Sequence, residues 1–375
     1  MPGMIGGIGC IDRCRDLLER FKSIWPEVTE EAFPDGLLAG HAFEPARALH
    51  RTCNGCHLAV DGELAIYLHA SGAAAGEGPA LLVVDDGIPR LTRLARGNVA
   101  AICSDGRALH LVTEATGGFP LYYAEVNGGL LFSSYLRILA QCLNSGRDAV
   151  GLAQTLCLGY VVGGRTCFRG IRRVLPGQAI TYDLESRRLT IYETTRAWTR
   201  ELREPWEHIV ERTERALRQA VRRCCPPGRR YAIMMSAGWD SRLVLAAMLA
   251  ECGPDSLLCY THGDPASREL RLTRRIVGRR GVPSHFEDMP QDFFQPQELS
   301  RDFDRTENLE WFYWHRAGRL LAAEGVDAVV TGMFGEILGG QYGALMAMKE
   351  LAAGKQNVMK QVSLIGLQLL RLDRL

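Results

Sequence analysis

Ser236-Ala237-Gly238-Trp239-Asp240-Ser241 decides how this chain is read, because of what lies on either side of it. Before it runs Tyr231-Ala232-Ile233-Met234-Met235, an apolar stretch of strand length. After it, from Arg242 to Cys252, Leu243, Ala246, Ala247 and Ala250 recur at helical spacing. A small-residue loop between strand and helix offers free backbone N–H groups and the positive end of a helix dipole, the surroundings that suit a phosphate. Two serine hydroxyls add donors. An aspartate aimed at phosphates makes sense only with a divalent cation such as Mg2+ between the two anions, which makes Asp240 a candidate metal ligand. The plainer alternative is an ordinary helix start, with Asp240 and Ser241 as first-turn acidic and N-cap residues.

A second element of the same kind follows. Val326-Asp327-Ala328-Val329-Val330 reads as another buried strand and runs into Thr331-Gly332-Met333-Phe334-Gly335-Glu336-Ile337-Leu338-Gly339-Gly340-Gln341-Tyr342. Between the two loops, Leu257 to Asp264 reads as strand and turn and Arg268 to Arg280 as a helix, closed by Gly281-Val282-Pro283. Strand, loop, helix, strand, helix in this order predicts an α/β domain with a parallel sheet over residues 201–375. Ligands bind such sheets at the carboxyl ends of the strands, and both loops fall there. Glu307, Asn308, Glu310, Trp311 and Tyr313 are placed on a further helix before the second loop, either facing the cleft or simply clothing that helix.

Residues 1–200 carry short alternating runs instead: Leu81 to Val84, Val99 to Cys103, Leu109 to Thr113, Leu130 to Ser133 and Ala179 to Asp183. Glycine, proline and aspartate punctuate them. An antiparallel, sheet-rich α+β domain is the expectation.

The loop at Ser236 is not the GxxxxGK[ST] motif, lacking both its spacing and its lysine. It resembles the SGGxDS pyrophosphate loop of the ATP pyrophosphatases, the PP-loop family, with Ala237 in place of the first glycine. Thr331 to Tyr342 resembles the SGxGxDExxGGY segment of the asparagine synthetases, with Glu336 where an aspartate faces the second Mg2+. In the first half, Phe119-Pro120-Leu121-Tyr122-Tyr123 and Gly129-Leu130-Leu131-Phe132-Ser133-Ser134 resemble the "G..PLYY....G.L.FSSE.K.L" stretch of class II glutamine amidotransferase domains. Leu175-Pro176-Gly177-Gln178 resembles the LPPG element that ends such domains.

Together these segments resemble the asparagine synthetase family. The resemblance implies an N-terminal αββα sandwich (Ntn-hydrolase-like) over 1–200, then a PP-loop (adenine nucleotide alpha hydrolase-like) domain over 201–375. It also implies a reaction: a substrate carboxylate attacks the α-phosphate of ATP, pyrophosphate leaves, and ammonia or a substrate amine displaces AMP from the acyl adenylate. On the matching positions Ser236, Gly238 and Ser241 would cradle pyrophosphate. Met234, Thr261 and Gly332 would line the adenosine pocket, and Asp240 and Glu336 would hold Mg2+.

The departures from that family bear on mechanism. Pro2 stands where such amidotransferases carry a nucleophilic cysteine whose own amino group is the base, and a proline has no thiol. Cys10 and Cys14 lie too far in to hold a free α-amino group, and Asp86-Gly87 is the nearest match to the Asn-Gly pair that serves the oxyanion. Glutamine hydrolysis is therefore not expected, and the nitrogen would come from ammonia or from an amine on the substrate. Met333 replaces a residue that in several relatives manages the proton of the attacking amine. The chain ends at Leu375 with no residue matching the family's catalytic lysine, so the acid/base residues are unassigned. Relatives lacking the nucleophile include β-lactam synthetases and the macrolactam synthetases of lasso peptides. The alternative is a nucleotide-binding pseudoenzyme or an inactive fragment of such a ligase.

At 375 residues the chain fits two domains, and a net charge of +1 gives no bulk field for nucleic acid or a membrane surface. No run of about 18 apolar residues suggests a spanning helix, and no leader pattern opens the chain. Val358 to Leu375 is amphipathic, with Val362, Leu364, Ile365, Leu367, Leu369 and Leu370, and reads as a helix packed on the second domain. Twelve cysteines without a leader suggest reduced thiols in the cytoplasm. Cys53-Asn54-Gly55-Cys56-His57 spells the C-x-x-C-H pattern of haem attachment, but neither export nor an opposing axial ligand is evident. A zinc site joining Cys53 and Cys56 to Cys10, Cys14 or His57 lacks a second C-x-x-C to complete it, so free thiols are the simplest reading. The expected partners are a small-molecule or peptide carboxylate and Mg·ATP, with no nucleic acid and no membrane; a homodimer stays open.

Overall fold

The computed structural model of the chain describes residues 3–33, 35–41, 49–53, 56–62, 99–104, 107–113, 117–193, 204–289, 295–307 and 312–332. Leu81 to Val84, Asp86-Gly87, Glu336 and Val358 to Leu375 lie outside them. The chain divides into two compact units, Met1–Glu201 with Arg301–Leu309, and Leu202–Ser300 with Glu310–Leu375. Among the described residues no helix is long and apolar enough to cross a membrane.

The first unit runs β1 (Gly3–Ile8), α1 (Ile11–Lys22), β2 (Thr29–Phe33), β3 (Gly36–His41), β4 (Leu49–Cys53), β5 (Cys56–Gly62), β6 (Val99–Ser104), β7 (Ala108–Thr113), β8 (Tyr122–Val126), β9 (Gly129–Ser133), α2 (Leu136–Cys142), α3 (Ala149–Leu158), β10 (Arg172–Arg173), β11 (Gln178–Asp183) and β12 (Arg188–Glu193). The strands form two six-stranded sheets, ordered β10-β8-β9-β1-β3-β2 and β12-β11-β7-β6-β5-β4. Every pairing in them is antiparallel.

The pleat of the first sheet sorts its side chains into two cores. Met4, Ile8, Leu38, Leu130 and Phe132 point one way and meet Ile102, Leu109, Leu111 and Ile180 of the second sheet. Ile5, Leu37, Ala39 and Leu131, one residue out of step, point the other way onto Leu17 and Phe21 of α1 and Ile138 and Leu139 of α2. A strand buried on both faces reads as a continuous apolar run rather than an alternation, which is the pattern of Gly129 to Ser133. The layers described are thus helix, sheet, sheet. α1 can lie this close because β1 carries Gly7, where a Cβ would fall 2.5 Å from the Leu130 carbonyl oxygen and 3.0 Å from the Cys14 sulfur. The Leu175 to Gln178 segment is a turn into β11, closed by Gln178 N–H donating to the Leu175 carbonyl and by Leu175 N–H donating to Gln178 Oε1, both at 3.0 Å. Cys53 and Cys56 are backbone register partners at the end of the β4–β5 pair.

The second unit contains α4 (Trp206–Cys224), β13 (Tyr231–Met234), α5 (Trp239–Cys252), β14 (Leu257–Gly263), α6 (Arg268–Arg280), β15 (Ser284–Asp288), the first part of α7 (Pro296–Thr306), α8 (Phe312–Ala323) and β16 (Ala328–Val330). Its sheet is ordered β15-β14-β13-β16, with every pairing parallel. Antiparallel sheets followed by a parallel sheet is the mixed α/β architecture expected from the two halves of the sequence. Tyr231, Ile233, Leu257 and Cys259 bury one face of the sheet against Leu245 and Met248 of α5 and Val277 of α6. Ala232, Leu258 and Tyr260 bury the other against Ala317 and Leu321 of α8. Glu251 on α5 accepts from Arg218 at 2.5 Å and from Arg222, both on α4, and the two guanidinium groups hold its carboxyl below the usual range.

One expectation fails here. Glu307 was placed on a helix running toward the second loop, but α7 stops at Thr306 and Glu307 takes φ +52° instead of continuing it. Its side chain turns onto α2 in the first unit, where Leu136 N–H donates to Oε2 and Arg137 N–H to Oε1, each at 2.7 Å. Tyr135, the residue before α2, offers no side-chain cap, so the Glu307 carboxylate supplies the acceptor that the helix start otherwise lacks. Asn308, Glu310 and Trp311 lie outside the described residues. Burial pushes the Glu307 carboxyl up to about 7, against the pull of those two amides and of Arg137. A carboxyl raised on folding contributes stability that is full below its unfolded value of about 4.3 and is lost as pH rises through 7. The melting temperature of wild type relative to Glu307→Gln is therefore expected to fall, by roughly 2–4 °C, as pH is raised from about 5 to about 8. A difference that stays flat across that range would contradict this role.

Candidate functional site

From β13 the chain steps outward to β14 and then to β15, and returns to the far side of β13 as β16. The direction of winding reverses between β13 and β16, the kind of position at the carboxyl ends of the strands where open parallel sheets bind ligands. Met235 to Gly238 leaves β13 there, and Thr331-Gly332 leaves β16 there. The described residues singled out from sequence, Met234, Ser236, Gly238, Asp240, Ser241, Thr261 and Gly332, all lie on β13, on the loop and helix start that follow it, or at the carboxyl ends of its neighbours. Glu336 and Met333 lie outside the described residues.

The loop is held by its own hydroxyls. Ser241 donates through Oγ to the Ser236 carbonyl at 3.0 Å, and Ser236 Oγ lies 3.0 Å from Ser241 Oγ and accepts from Gly238 N–H at 3.1 Å. Ser241 is 5% exposed and acts as an internal staple, whereas the Ser236 hydroxyl lies nearer the surface. The helix begins three residues earlier than the periodicity indicates. Gly238 is the N-cap of α5 with no side-chain cap, and Trp239, Asp240 and Ser241 form its first turn, whose amides have no intrahelical acceptor. Asp240 is half-buried and, among the described residues, its carboxylate makes no hydrogen bond or ion pair. A lone carboxylate in the first turn is favoured by the helix dipole and is free to meet a cation.

Gly332 fixes how closely the second loop approaches. A Cβ there would fall 2.7 Å from Asp240 C and from Ser241 N, and 3.0 Å from Asp240 O. The backbone after β16 therefore lies directly against the first turn of α5, a contact that only glycine permits. Thr261, 7% exposed at the end of β14, donates through Oγ1 to the Met235 carbonyl at 2.8 Å and so pins the loop from the other side. Tyr260, beside it, donates to Glu287 of β15, and Arg316 of α8 donates to the same carboxylate at 2.9 Å. Burial works against the charge on Glu287, yet these two donors keep its carboxyl below the usual range.

Three further residues at this end of the sheet are given no role by the sequence. Trp239 is 76% exposed, and the Arg242 guanidinium sits 4.0 Å from its ring centroid while donating from Nε to the Gly238 carbonyl at 3.0 Å. The pair places an indole and a cation at the rim of the loop, and a large aromatic inside an otherwise small-residue hexapeptide was the hint. His262 follows Thr261 on β14, and burial lowers its pKa against the pull of Glu287 and Glu269.

Comparison of the sequence with models of known families gives no match, and comparison with characterised proteins gives none either. Among solved structures, the chain is similar to a glutamine phosphoribosylpyrophosphate (PRPP) amidotransferase from B. subtilis complexed with ADP and GMP, at 12% identity and a TM-score of 0.36 over 80% of this chain and 70% of that one. It is also similar to a structure described as the allosteric regulatory enzyme of purine biosynthesis, at 11% identity and a TM-score of 0.35 over 88% of this chain and 89% of that one. Likeness at this level fixes neither fold nor function.

Because the Gly332 contact is to backbone, Gly332→Ala must displace the start of α5. The variant is expected to lose about 1–3 kcal/mol of stability and to show faster hydrogen exchange of the Ser236 to Ser241 amides. Wild-type exchange in that loop would rule out the close approach.

Proposed function

We propose that this chain is an asparagine synthetase-like, ATP-dependent ligase that activates a carboxylate as its acyl adenylate and joins it to ammonia or to an amine of the substrate. The observation that carries the proposal is the convergence of the Ser236 to Ser241 loop and Gly332 at the reversal of a parallel sheet. The first turn of α5 there has amides without an intrahelical acceptor, an Asp240 with no partner among the described residues, and no room for a side chain on Gly332.

On this reading the second unit is a PP-loop domain. Pyrophosphate would rest on the amides that open α5 and on the Ser236 hydroxyl, which would exchange its bond to Ser241 for one to a phosphate oxygen. Gly238 would let the phosphates approach the backbone, and Ser241 would hold the loop closed. Mg2+ would neutralise the departing pyrophosphate, with Asp240, and Glu336 by family position, as its ligands. The close approach of Gly332, where even a Cβ would collide, fits a cradle shaped around a compact anion with its cation. Met234, Thr261 and Gly332 would border the adenosine. The protein's work would be positioning and charge stabilisation, since the leaving group carries most of the developing charge.

The helix–sheet–sheet layering of the first unit supports an amidotransferase-like, Ntn-type sandwich. The second helical layer that such a fold calls for is not among the described residues. With Pro2 in the nucleophile's place, this unit would serve as a scaffold, and glutamine would not be the nitrogen source.

The test is pyrophosphate release from Mg·ATP in the presence of a panel of small-molecule and peptide carboxylates, with ammonia or glutamine supplied. Acid-dependent release, completed by ammonia or by a substrate amine but not by glutamine, is expected. Asp240→Asn should lower it by at least about a hundredfold without unfolding the protein. Release that Asp240→Asn leaves untouched would defeat the assignment. Binding of Mg·ATP without acid-dependent release by any member of the panel would instead mark a nucleotide-binding pseudoenzyme.

A further inference from the structure

Two thiols meet where α1 begins. Cys10 is the residue before the helix, and Cys14 follows one turn later, its N–H donating to the Cys10 carbonyl at 3.1 Å. Their sulfurs gather at the Leu130 carbonyl of β9. Cys10 Sγ lies 3.9 Å from that oxygen, and a Cβ on Gly7 placed 2.5 Å from it would fall 3.0 Å from Cys14 Sγ. There the Cys14 S–H donates to the Cys10 sulfur. The turn that delivers Cys10 is closely held. Gly9 takes φ +75°, its N–H donates to the Asp35 carbonyl at 2.6 Å, and a Cβ on it would fall 2.2 Å from the Gly128 carbonyl oxygen. The meeting of the thiols is thus set by how β1, β9 and α1 pack.

The two sulfurs are unequal. Cys10 is partly exposed, whereas Cys14 is completely buried. The bond from Cys14, with a smaller pull from Arg13, holds the Cys10 thiol below its usual range against its burial. The same bond and its own burial push Cys14 up. A thiolate just before a helix is further favoured by the dipole, and Asp12, the opposing charge in that first turn, is 94% exposed and lies 3.8 Å from Arg15. The Ile8 carbonyl, 3.5 Å from Cys10 Sγ, accepts from the thiol form. Cys142, the third thiol nearby, is buried, donates to the Arg13 carbonyl at 3.6 Å, and is pushed up to about 12 by burial and by Asp16. Among the described residues no three His, Cys, Asp or Glu side chains are grouped to hold a metal ion. A solvent-reached thiol of lowered pKa beside a second cysteine is instead the arrangement of a redox pair.

We propose that Cys10 and Cys14 form a dithiol–disulfide couple that hydrogen peroxide oxidises and a small thiol restores. The Cys10 sulfur attacks one peroxide oxygen, the O–O bond breaks, and the hydroxide released takes up a proton as water, leaving Cys10 as a sulfenic acid. The Cys14 sulfur then attacks Cys10, the S–O bond breaks, the Cys14 proton leaves with the hydroxide as a second water, and the S–S bond closes. Two molecules of a small thiol return both cysteines by exchange and leave as their own disulfide. Cβ atoms four residues apart on a helix lie about 5–6 Å apart and a disulfide needs about 3.5–4.5 Å, so closure draws Cys10 inward by about 1–2 Å. Neither thiol belongs to the loop after β13, and the couple is independent of the ligase reading.

Peptide mapping of the reduced full chain after a small excess of hydrogen peroxide tests it. Trypsin cuts after Arg13, so a Cys10–Cys14 bond is read by mass spectrometry as a linked pair of peptides. That pair is expected to form at least about tenfold faster than Cys157 or Cys224, both exposed, is oxidised, and to vanish with dithiothreitol. Cys14→Ala should leave Cys10 as a sulfenic acid captured by dimedone, and Cys10→Ser should leave Cys14 unoxidised. Oxidation of Cys157 or Cys224 ahead of Cys10, a bond from Cys14 to Cys142 in place of Cys10, or no captured sulfenic acid in folded Cys14→Ala would each overturn the proposal. If a variant does not fold, the wild-type peptide map decides alone.

Discussion

A strand hydrogen-bonded in parallel on both sides must be reached by two crossovers that leave in opposite directions, and β13 imposes that constraint on the whole second unit. β14 lies on one side of it and β16 on the other. The segments that follow β13 and β16 both leave at the carboxyl end of the sheet, where the first turn of α5 begins. The chemistry proposed for this end of the sheet follows from that reversal. Thr261 pins the β13 loop through the Met235 carbonyl, and Gly332 brings the β16 loop against Asp240 and Ser241. The serines complete the closure, with Ser241 spent on the loop's own backbone.

The first unit answers a different problem. Its sheet of β1, β3, β8 and β9 is buried on both faces, by the second sheet and by α1 and α2. Buried polar groups there need partners, as Ser133 at the end of β9 accepts from the Tyr135 N–H at 2.8 Å. Glu307 illustrates the consequence: a carboxylate distant in sequence is brought in to serve the first amides of α2. Burial of that carboxylate leaves it poised near neutrality, a cost accepted for the cap it supplies.

Local pattern carried much of this architecture in the sequence. Tyr231 to Met235 is apolar and short, Arg268 to Arg280 has helical spacing and a glycine stop, and each forms the element its pattern indicates. Val99 to Cys103 and Leu109 to Thr113 likewise became paired strands within a residue of where alternation placed them. Contacts made across long separations were not legible. The start of α5 was placed late because Gly238 caps it without a side-chain signature. Glu307 looked like any acidic residue on a helix, since the amides it meets lie some 170 residues away. Gly332 was one glycine among several in its segment, and only the nearness of Asp240 and Ser241 gives it a reason.

The central claim is that the first turn of α5, with Asp240, receives the pyrophosphate end of Mg·ATP. Hydrogen exchange measured amide by amide, with and without Mg·ATP, addresses it most directly. Slowed exchange confined to Gly238 through Arg242 and to Gly332 is the predicted result. Nucleotide binding that leaves those amides exchanging at their free rate would contradict it.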